Sequence, residues 1–366
     1  MKIVADENIP ALKDYFQAEH ELILKNGRHI LAKDVSDADI LLVRSITKVN
    51  AELLQNSKVK FVGSVTTGVD HLDVAWLNSA GIAWSGAQGC NAVAVVEYVI
   101  TAIAVLQRDG YLRGENLRAG VIGVGRIGSK VADILKLLGF EVLLFDPVRA
   151  QHEPGFNSIN WDDLQDLDLV TLHTPLTHEL HGEQYPTYHL IAKEFLQRQK
   201  NNTVLINTSR GEVIDFMNLA CYGRHLRWCL DVWEHEPQIA TAILPAATIA
   251  TPHIAGYSAQ SKFRGMAMIY AVMQGANLLT SATVSPINFP TTVARLDAED
   301  WREVVLNIFD PVLATQQMQA ALRLNPLGFD RLRKDFITRH EFNFIENSAG
   351  TVNSMFAAMR EILREA

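Results

Sequence analysis

Three polar residues in the second half of the chain each follow a short apolar run: Arg210 in INTSRGEVID, Glu236 in DVWEHEP and His253 in TPHIAGY. Their chemistry is complementary. A guanidinium offers a planar fork that matches a carboxylate, and an imidazole can take or return the proton of a hydroxyl. A carboxylate beside that imidazole holds it in one orientation and favours its charged form. Each residue also has an ordinary explanation: a surface arginine, a solvated acid in front of Pro237, a histidine packed among small residues. Glu234, two positions before Glu236, competes for the role of the acid.

What would turn these three into a reaction centre is a redox partner beside them, and GVGRIG (123–128) supplies a candidate site for one. It follows the strand-like AGVI and opens the helix-like SKVADILKLLG. In that context Gly123 makes the turn, Gly125 lets the backbone approach a pyrophosphate, and Gly128 allows close helix–strand packing, with the helix N-terminus facing the phosphates. Arg126 and Ile127 complete this loop, and Arg126 either steadies the pyrophosphate or is simply solvated. Asp146 ends the next strand, in VLLFDP, about 20 residues on, where an acid accepts from a ribose diol and repels a 2′-phosphate. NAD is therefore expected over NADP. In HTP (173–175), His173 and Thr174 are expected to line the cofactor pocket and not to do chemistry. No metal is expected.

The elements that must position these residues follow from the alternation of β-branched runs with periodic helical segments: KIVADEN then PALKDYFQAEH, ADILLVRS then AELLQNS, KFVGSVTTG then DVAWLNSAG. Alternation of this kind predicts βαβ units and a parallel sheet. A second series opens at AGVIGVG and continues through FEVLLFDP, DLVTLHTP, NTVLINTS and LRWCLDVW, each run ending in the polar or turn residues where an open parallel sheet holds its ligand. The stretch AVAVVEYVITAIAVL (92–106) is shorter than a membrane span and contains Glu97, so it predicts a buried helix. Residues 281–300 shift to Pro, Ser and Thr, and beyond them WREVVLNIFDPVLATQQMQAAL and FDRLRKDFITRHEF predict helical or mixed segments.

With 366 residues the chain is long enough for two or three cores. A 48% hydrophobic content, 20% charged residues and a net charge of −8 argue against a nucleic-acid surface, which needs clustered Lys and Arg. Three cysteines, Cys90, Cys221 and Cys229, form no CxxC pair and suit a reducing cytoplasm. The start, MKIVADENIP, reads as a first strand and not a secretory signal. No membrane role is expected.

Through GVGRIG, Asp146, HTPLT, NTSRGEVID, DVWEHEP and TPHIAGY, over most of residues 1–285, the sequence resembles the D-isomer-specific 2-hydroxyacid dehydrogenase family. ADENIP, VRSITKVN, TTGVDHLD, GCNAVAVVEYV and HIAGYS narrow the resemblance to members acting on a small phosphorylated hydroxy acid, and GFDRLRKDF is similar to their C-terminal dimerisation region. The resemblance implies Arg210, Glu236 and His253 as the catalytic set, with His253 as acid/base. It implies Ser45, Thr66 and Tyr257 at the substrate, Thr67 being an alternative to Thr66, and Asp146, Asp231 and Gly256 at NAD. Arg44, beside Ser45, or an arginine of FDRLRKDF from a partner subunit is the candidate cation for the substrate phosphate.

The expected fold is α/β: two Rossmann-like, doubly wound parallel-sheet domains plus a smaller C-terminal dimerisation domain. Residues 1–95 and 254–282 would form the substrate domain, 96–253 the NAD domain and 283–366 the dimerisation domain of a cytoplasmic homodimer. A phosphoglycerate- or glyoxylate-type dehydrogenase, or an NAD-sensing binding protein resembling the corepressors, would share much of this pattern.

Overall fold

The computed structural model describes residues 1–16, 20–179, 184–279, 289–336, 338–348, 350 and 352–364. Residues 281–288, where the composition shifts and where the boundary at 282/283 falls, lie outside the described residues. The chain divides into two compact units, Met1–Asn91 with Tyr257–Pro290, and Ala92–Gly256 with Thr291–Ala366.

The first unit is a five-stranded parallel sheet of β1 (Lys2–Asp6), β2 (Glu21–Lys25), β3 (Ile40–Val43), β4 (Phe61–Ser64) and β5 (Ala83–Gly86), in the order β2-β1-β3-β4-β5. The central runs ILLV and FVGS are buried at every position, as expected of strands covered on both faces. The helix Ala259–Gly275 brings Met266, Ile269, Tyr270 and Met273 onto the core formed by Ile3, Ile40 and Phe61. Winding reverses between β1 and β3, so Asp6, which ends β1, and Arg44, which follows β3, flank the switch point.

The second unit is a six-stranded parallel sheet of β6 (Arg118–Ile122), β7 (Glu141–Phe145), β8 (Leu169–Leu172), β9 (Val204–Asn207), β10 (Arg227–Leu230) and β11 (Ile249–Ala250), in the order β11-β10-β9-β8-β6-β7. Its switch point lies between β6 and β8, the position at which open α/β sheets take ligands. Because all strands are parallel, the residues that follow them come out on one edge: GVGRIG after β6, Asp146 after β7, His173 and Thr174 after β8, Arg210 after β9, Asp231 to Glu236 after β10, and His253 after β11.

The apolar stretch forms the helix Ala92–Arg108, buried on nearly all sides. Each fully buried Val, Ile or Leu there contributes about 1.5–3 kcal/mol. The described residues of 291–366 share the cores of the second unit. Leu296, Val304, Val305, Phe342, Phe356 and Met359 join the cluster around that helix, and Met318, Leu322 and Phe329 join the cluster on the opposite side with Leu230 and Trp233. The amphipathic faces that seemed to call for a separate domain thus find cover on the second unit. Asp310 caps Pro311–Leu324 and Pro311 sits at its first turn, which separates it from Trp301–Ile308. The helix Pro311–Leu324 lies along the edge strand β11, and Thr315 Oγ1 accepts from the Ala250 N–H at 2.9 Å. Covering the edge in this way blocks further strand pairing. A short parallel pair, β12 (Thr292–Ala294) with β13 (Ile345–Asn347), ties the ends of this segment together. Among the described residues no helix is long and apolar enough to cross a membrane.

Candidate active site

On the second unit, His253 Nδ1 lies 2.7 Å from Glu236 Oε2. The other oxygen of Glu236 accepts from the Trp233 N–H at 2.9 Å, so the carboxylate is fixed from both ends. Burial works to raise Glu236, but the charge and hydrogen bond of His253, the nearby Arg333 and the Trp233 amide outweigh it and hold the carboxyl below the usual range. Among the described residues no hydrogen bond engages His253 Nε2. Glu234, the competing acid, turns elsewhere: its Oε1 meets His189 Nε2 at 2.6 Å. Between the two glutamates, His235 adopts φ +61, a left-handed turn that sends their side chains apart.

The loop that carries His253 is held by Asp231, which is 1% exposed. Its Oδ1 accepts from the Thr251 hydroxyl (2.6 Å) and the Ile254 N–H (2.8 Å), its Oδ2 from the Ala255 N–H (2.8 Å), and its carbonyl from the His253 N–H (2.7 Å). Tyr98 extends the network, with its hydroxyl 2.6 Å from Thr251 Oγ1. Asp231, expected at the cofactor, therefore has its carboxylate engaged inside the protein. Nothing in the spacing of DVWEHEP pointed to this, because its partners lie 20 to 24 residues away.

Arg210 begins the turn Gly211–Val213, with its Nη1 donating to the Ser209 carbonyl at 2.8 Å and its own carbonyl accepting from Asn207 Nδ2 at 2.8 Å. A Cβ on Gly211 would lie 2.0 Å from the Trp233 carbonyl. The glycine thus lets the Arg210 loop pack against the backbone that leads into Glu236.

The glycine loop has the features of a dinucleotide site. Gly123 has φ +83, Gly125 caps the helix Arg126–Leu137, and a Cβ on Gly128 would lie 1.9 Å from the Gly123 carbonyl. A Cβ on Gly125 would meet no protein atom, so packing does not require glycine there, whereas approach of a pyrophosphate does. Arg126 is exposed and Ile127 partly buried at the same helix start. Asp146 accepts from the Val124 N–H and the Arg149 N–H, both at 2.8 Å, which locks its carboxylate at the end of β7. Arg149 is tied to Glu153 (2.6 Å) and the Val124 carbonyl (2.6 Å) and is not set to grip a 2′-phosphate. Thr174 has a buried hydroxyl with no partner among the described residues, as a residue awaiting a bound group would. Burial pushes His173 down to about 3, so its ring is neutral near pH 7 and lines the site without carrying protons. The residues present fit NAD.

On the first unit, Ser45 is exposed and Tyr257 partly buried. Thr67 donates to Asn91 Oδ1 at 2.6 Å, and Thr66 Oγ1 lies 2.9 Å from Ser64 Oγ and 3.3 Å from the Gly68 carbonyl, so both hydroxyls are engaged within the unit. Arg44 is gripped by the fully buried Asp6, Nε to Oδ2 at 2.8 Å and Nη2 to Oδ1 at 3.2 Å. Lys262 Nζ stands 5.7 Å from the centre of the Tyr257 ring, and partial burial together with the charge of Arg44 lowers its ammonium below the usual lysine value. Two cations are thereby brought near one another.

Residues 106–255 match the family model of the D-isomer specific 2-hydroxyacid dehydrogenase, NAD binding domain. Over 350 residues the chain is 42% identical to the erythronate-4-phosphate dehydrogenase of Coxiella burnetii (strain RSA 331 / Henzerling II), covering 94% of each chain. This chain belongs to the D-isomer specific 2-hydroxyacid dehydrogenase family. The erythronate-4-phosphate dehydrogenase of Teredinibacter turnerae is 40% identical over 370 residues, 98% of both chains. Among solved structures, D-lactate dehydrogenase from Aquifex aeolicus complexed with NAD and lactic acid superposes with a TM-score of 0.61 at 25% identity, covering 76% of this chain and 96% of that one. The NAD-bound 3-phosphoglycerate dehydrogenase of Entamoeba histolytica has the same fold, with a TM-score of 0.63 at 23% identity over 79% of this chain and 99% of that one.

Proposed function

We propose that the protein oxidises the 2-hydroxyl of 4-phospho-D-erythronate with NAD, giving (R)-3-hydroxy-2-oxo-4-phosphooxybutanoate, as a step of pyridoxal 5′-phosphate synthesis. The observation that carries the chemistry is the His253–Glu236 pair at 2.7 Å on the unit that also bears GVGRIG. The choice of substrate is supported by the 42% identity to an erythronate-4-phosphate dehydrogenase over 94% of both chains.

Gly123, Gly125, Arg126, Ile127 and Gly128 would receive the pyrophosphate of NAD, Asp146 would accept from its ribose diol, and Thr174, Asp231 and Gly256 would border its nicotinamide end. The bound cofactor would supply the hydride acceptor for the carbon that bears the 2-hydroxyl. Neutral His253 takes the hydroxyl proton on Nε2, while Glu236 on Nδ1 fixes the ring and stabilises the charge it gains. Arg210 holds the carboxylate with its fork and stabilises the developing carbonyl. Ser45, Thr66 and Tyr257 contact the substrate, and Arg44 with Lys262 takes the phosphate. The proposed reaction calls on no metal. The protein works as a homodimer in the cytoplasm, and the exposed Leu324 (88%) and Leu327 (78%) support pairing through the C-terminal segment.

The test is NADH formation from 4-phospho-D-erythronate, D-erythronate, 3-phosphoglycerate, D-lactate and glycolate under one set of conditions. The highest kcat/KM is expected for 4-phospho-D-erythronate. A higher value for another acid overturns the substrate, and no NADH from any of them overturns the activity.

A further inference from the structure

His253 has φ +56, a backbone conformation that a non-glycine residue keeps only where its surroundings over-determine it. Asp231 secures one side of the loop by taking the N–H groups of Ile254 and Ala255. The carbonyls of the same two residues face a different group. Arg339, 7% exposed, donates to the Ala255 carbonyl at 2.8 Å, to the Ile254 carbonyl at 3.4 Å and to the Ala94 carbonyl.

Arg339 comes from the C-terminal segment, 84 and 85 residues beyond the carbonyls it holds. Glu97 and Glu341, both fully buried, and Asp231 face its guanidinium and support its charge against burial. Glu97 Oε1 in turn accepts from the Phe342 N–H at 2.6 Å, which fixes the chain on the other side of Arg339. Neutralising two buried carboxylates would need only a cation. Reaching two successive carbonyls, with a third behind them, needs the planar fork of arginine. The charged groups around the His253 ring are Glu236, Asp231 and, beyond Glu236, Arg333, also from the C-terminal segment.

We propose that Arg339 is a positioning residue for proton transfer: through the peptide units of Ile254 and Ala255 it holds His253 in its left-handed conformation against Glu236, which makes the C-terminal segment part of the catalytic apparatus of its own chain. The inference rests on His253 being the proton carrier.

The test compares Arg339→Lys with the parent in full-length protein. Lysine keeps the charge beside Glu97 and Glu341 but cannot span both carbonyls. A cooperative melt and an NADH Kd within about twofold of the parent are expected, with kcat lowered roughly ten- to a hundredfold and KM for the hydroxy acid little changed, as for a reacting group displaced by a fraction of an ångström. The loss should largely vanish in a Glu236→Gln background, where the ring has already lost its orienting partner; a role in general stability would instead add to it. Parent-like kcat in Arg339→Lys, or a fully additive loss, overturns the proposal. Should that variant not fold, hydrogen exchange at the Arg339 guanidinium of the parent decides: its Nη protons are expected to exchange only with global unfolding, and exchange at the rate of a solvated arginine overturns the clamp. If His253→Gln keeps its turnover, the underlying reading has failed. If His253→Gln is inactive while Arg339→Lys matches the parent, only the clamp has failed.

Discussion

The second unit contains two histidine–glutamate pairs built from the same seven-residue stretch, DVWEHEP. Glu236 meets His253 at 2.7 Å and Glu234 meets His189 at 2.6 Å. Both histidines have positive φ, +56 and +53, and similar exposure, 31% and 30%. Their surroundings differ. His189 has a second carboxylate, Asp215, 3.7 Å from Nδ1, and its ring stacks on Tyr188 with centroids 4.0 Å apart and an 18° tilt. Both nitrogens and one face of that ring are occupied, so no ring nitrogen is left to meet a ligand. Among the described residues the His253 ring is engaged at Nδ1 alone, which fits the proposed role of Nε2 at a substrate. A short contact between imidazole and carboxylate therefore does not by itself mark a proton carrier; the state of the second ring nitrogen separates the two pairs.

The sharpest way to break this comparison is to remove each ring in turn. His253→Gln is expected to lower kcat by about 10²–10⁴ while leaving NADH binding intact, since only proton transfer is lost. His189→Gln should keep turnover near that of the parent. Equal losses in steady-state assays of the two variants would abolish the distinction.

Next in size is Glu236→Gln, with a cost of roughly up to a hundredfold in kcat through lost orientation of the ring. Glu236 is held below the usual carboxyl range, so its charge stays beside the ring into mildly acid solution. Without that charge the proton taken up during oxidation loses its stabilising neighbour, and kcat for oxidation should fall while the NADH Kd stays near that of the parent. A variant with parent-like kcat would mean that Glu236 does not act on the ring.

Asp146→Ala tests the cofactor end. Loss of the carboxylate should weaken NAD and narrow its preference over NADP, by about 1–3 kcal/mol for a charged hydrogen-bonding group. Unchanged relative Kd values would move the ribose away from Asp146. The smallest effect is expected of Glu234→Gln: about 1 kcal/mol of stability from one weakened hydrogen bond, visible as a small fall in Tm, with kcat within twofold of the parent.

Much of this was legible because it depends on short-range order. The strands after which Asp146, Arg210 and His253 follow appear as apolar runs with a turn, and parallel winding puts their C-terminal ends on one edge without further information. GVGRIG carried its own context of strand and helix. That the Asp231 carboxylate also holds the loop 251–255 was not legible, because the acid and its partners follow different strands and no local pattern relates them. Residues 283–366 were expected as a domain of their own because amphipathic segments reveal an apolar face but not what covers it. In the structure the described residues of this segment share the cores of the second unit.

By itself the sequence determined the alternating α/β pattern, the parallel sheets and the chemical types present at the strand ends, because hydrophobic periodicity and glycine conformation act over a few residues. Only the tertiary structure decided which glutamate faces which histidine, which partners engage Thr66 and Thr67, and that Arg339 grips the loop after His253. Those outcomes depend on side-chain directions and on contacts between residues as many as 245 positions apart, where a single left-handed residue such as His235 is enough to reverse an assignment.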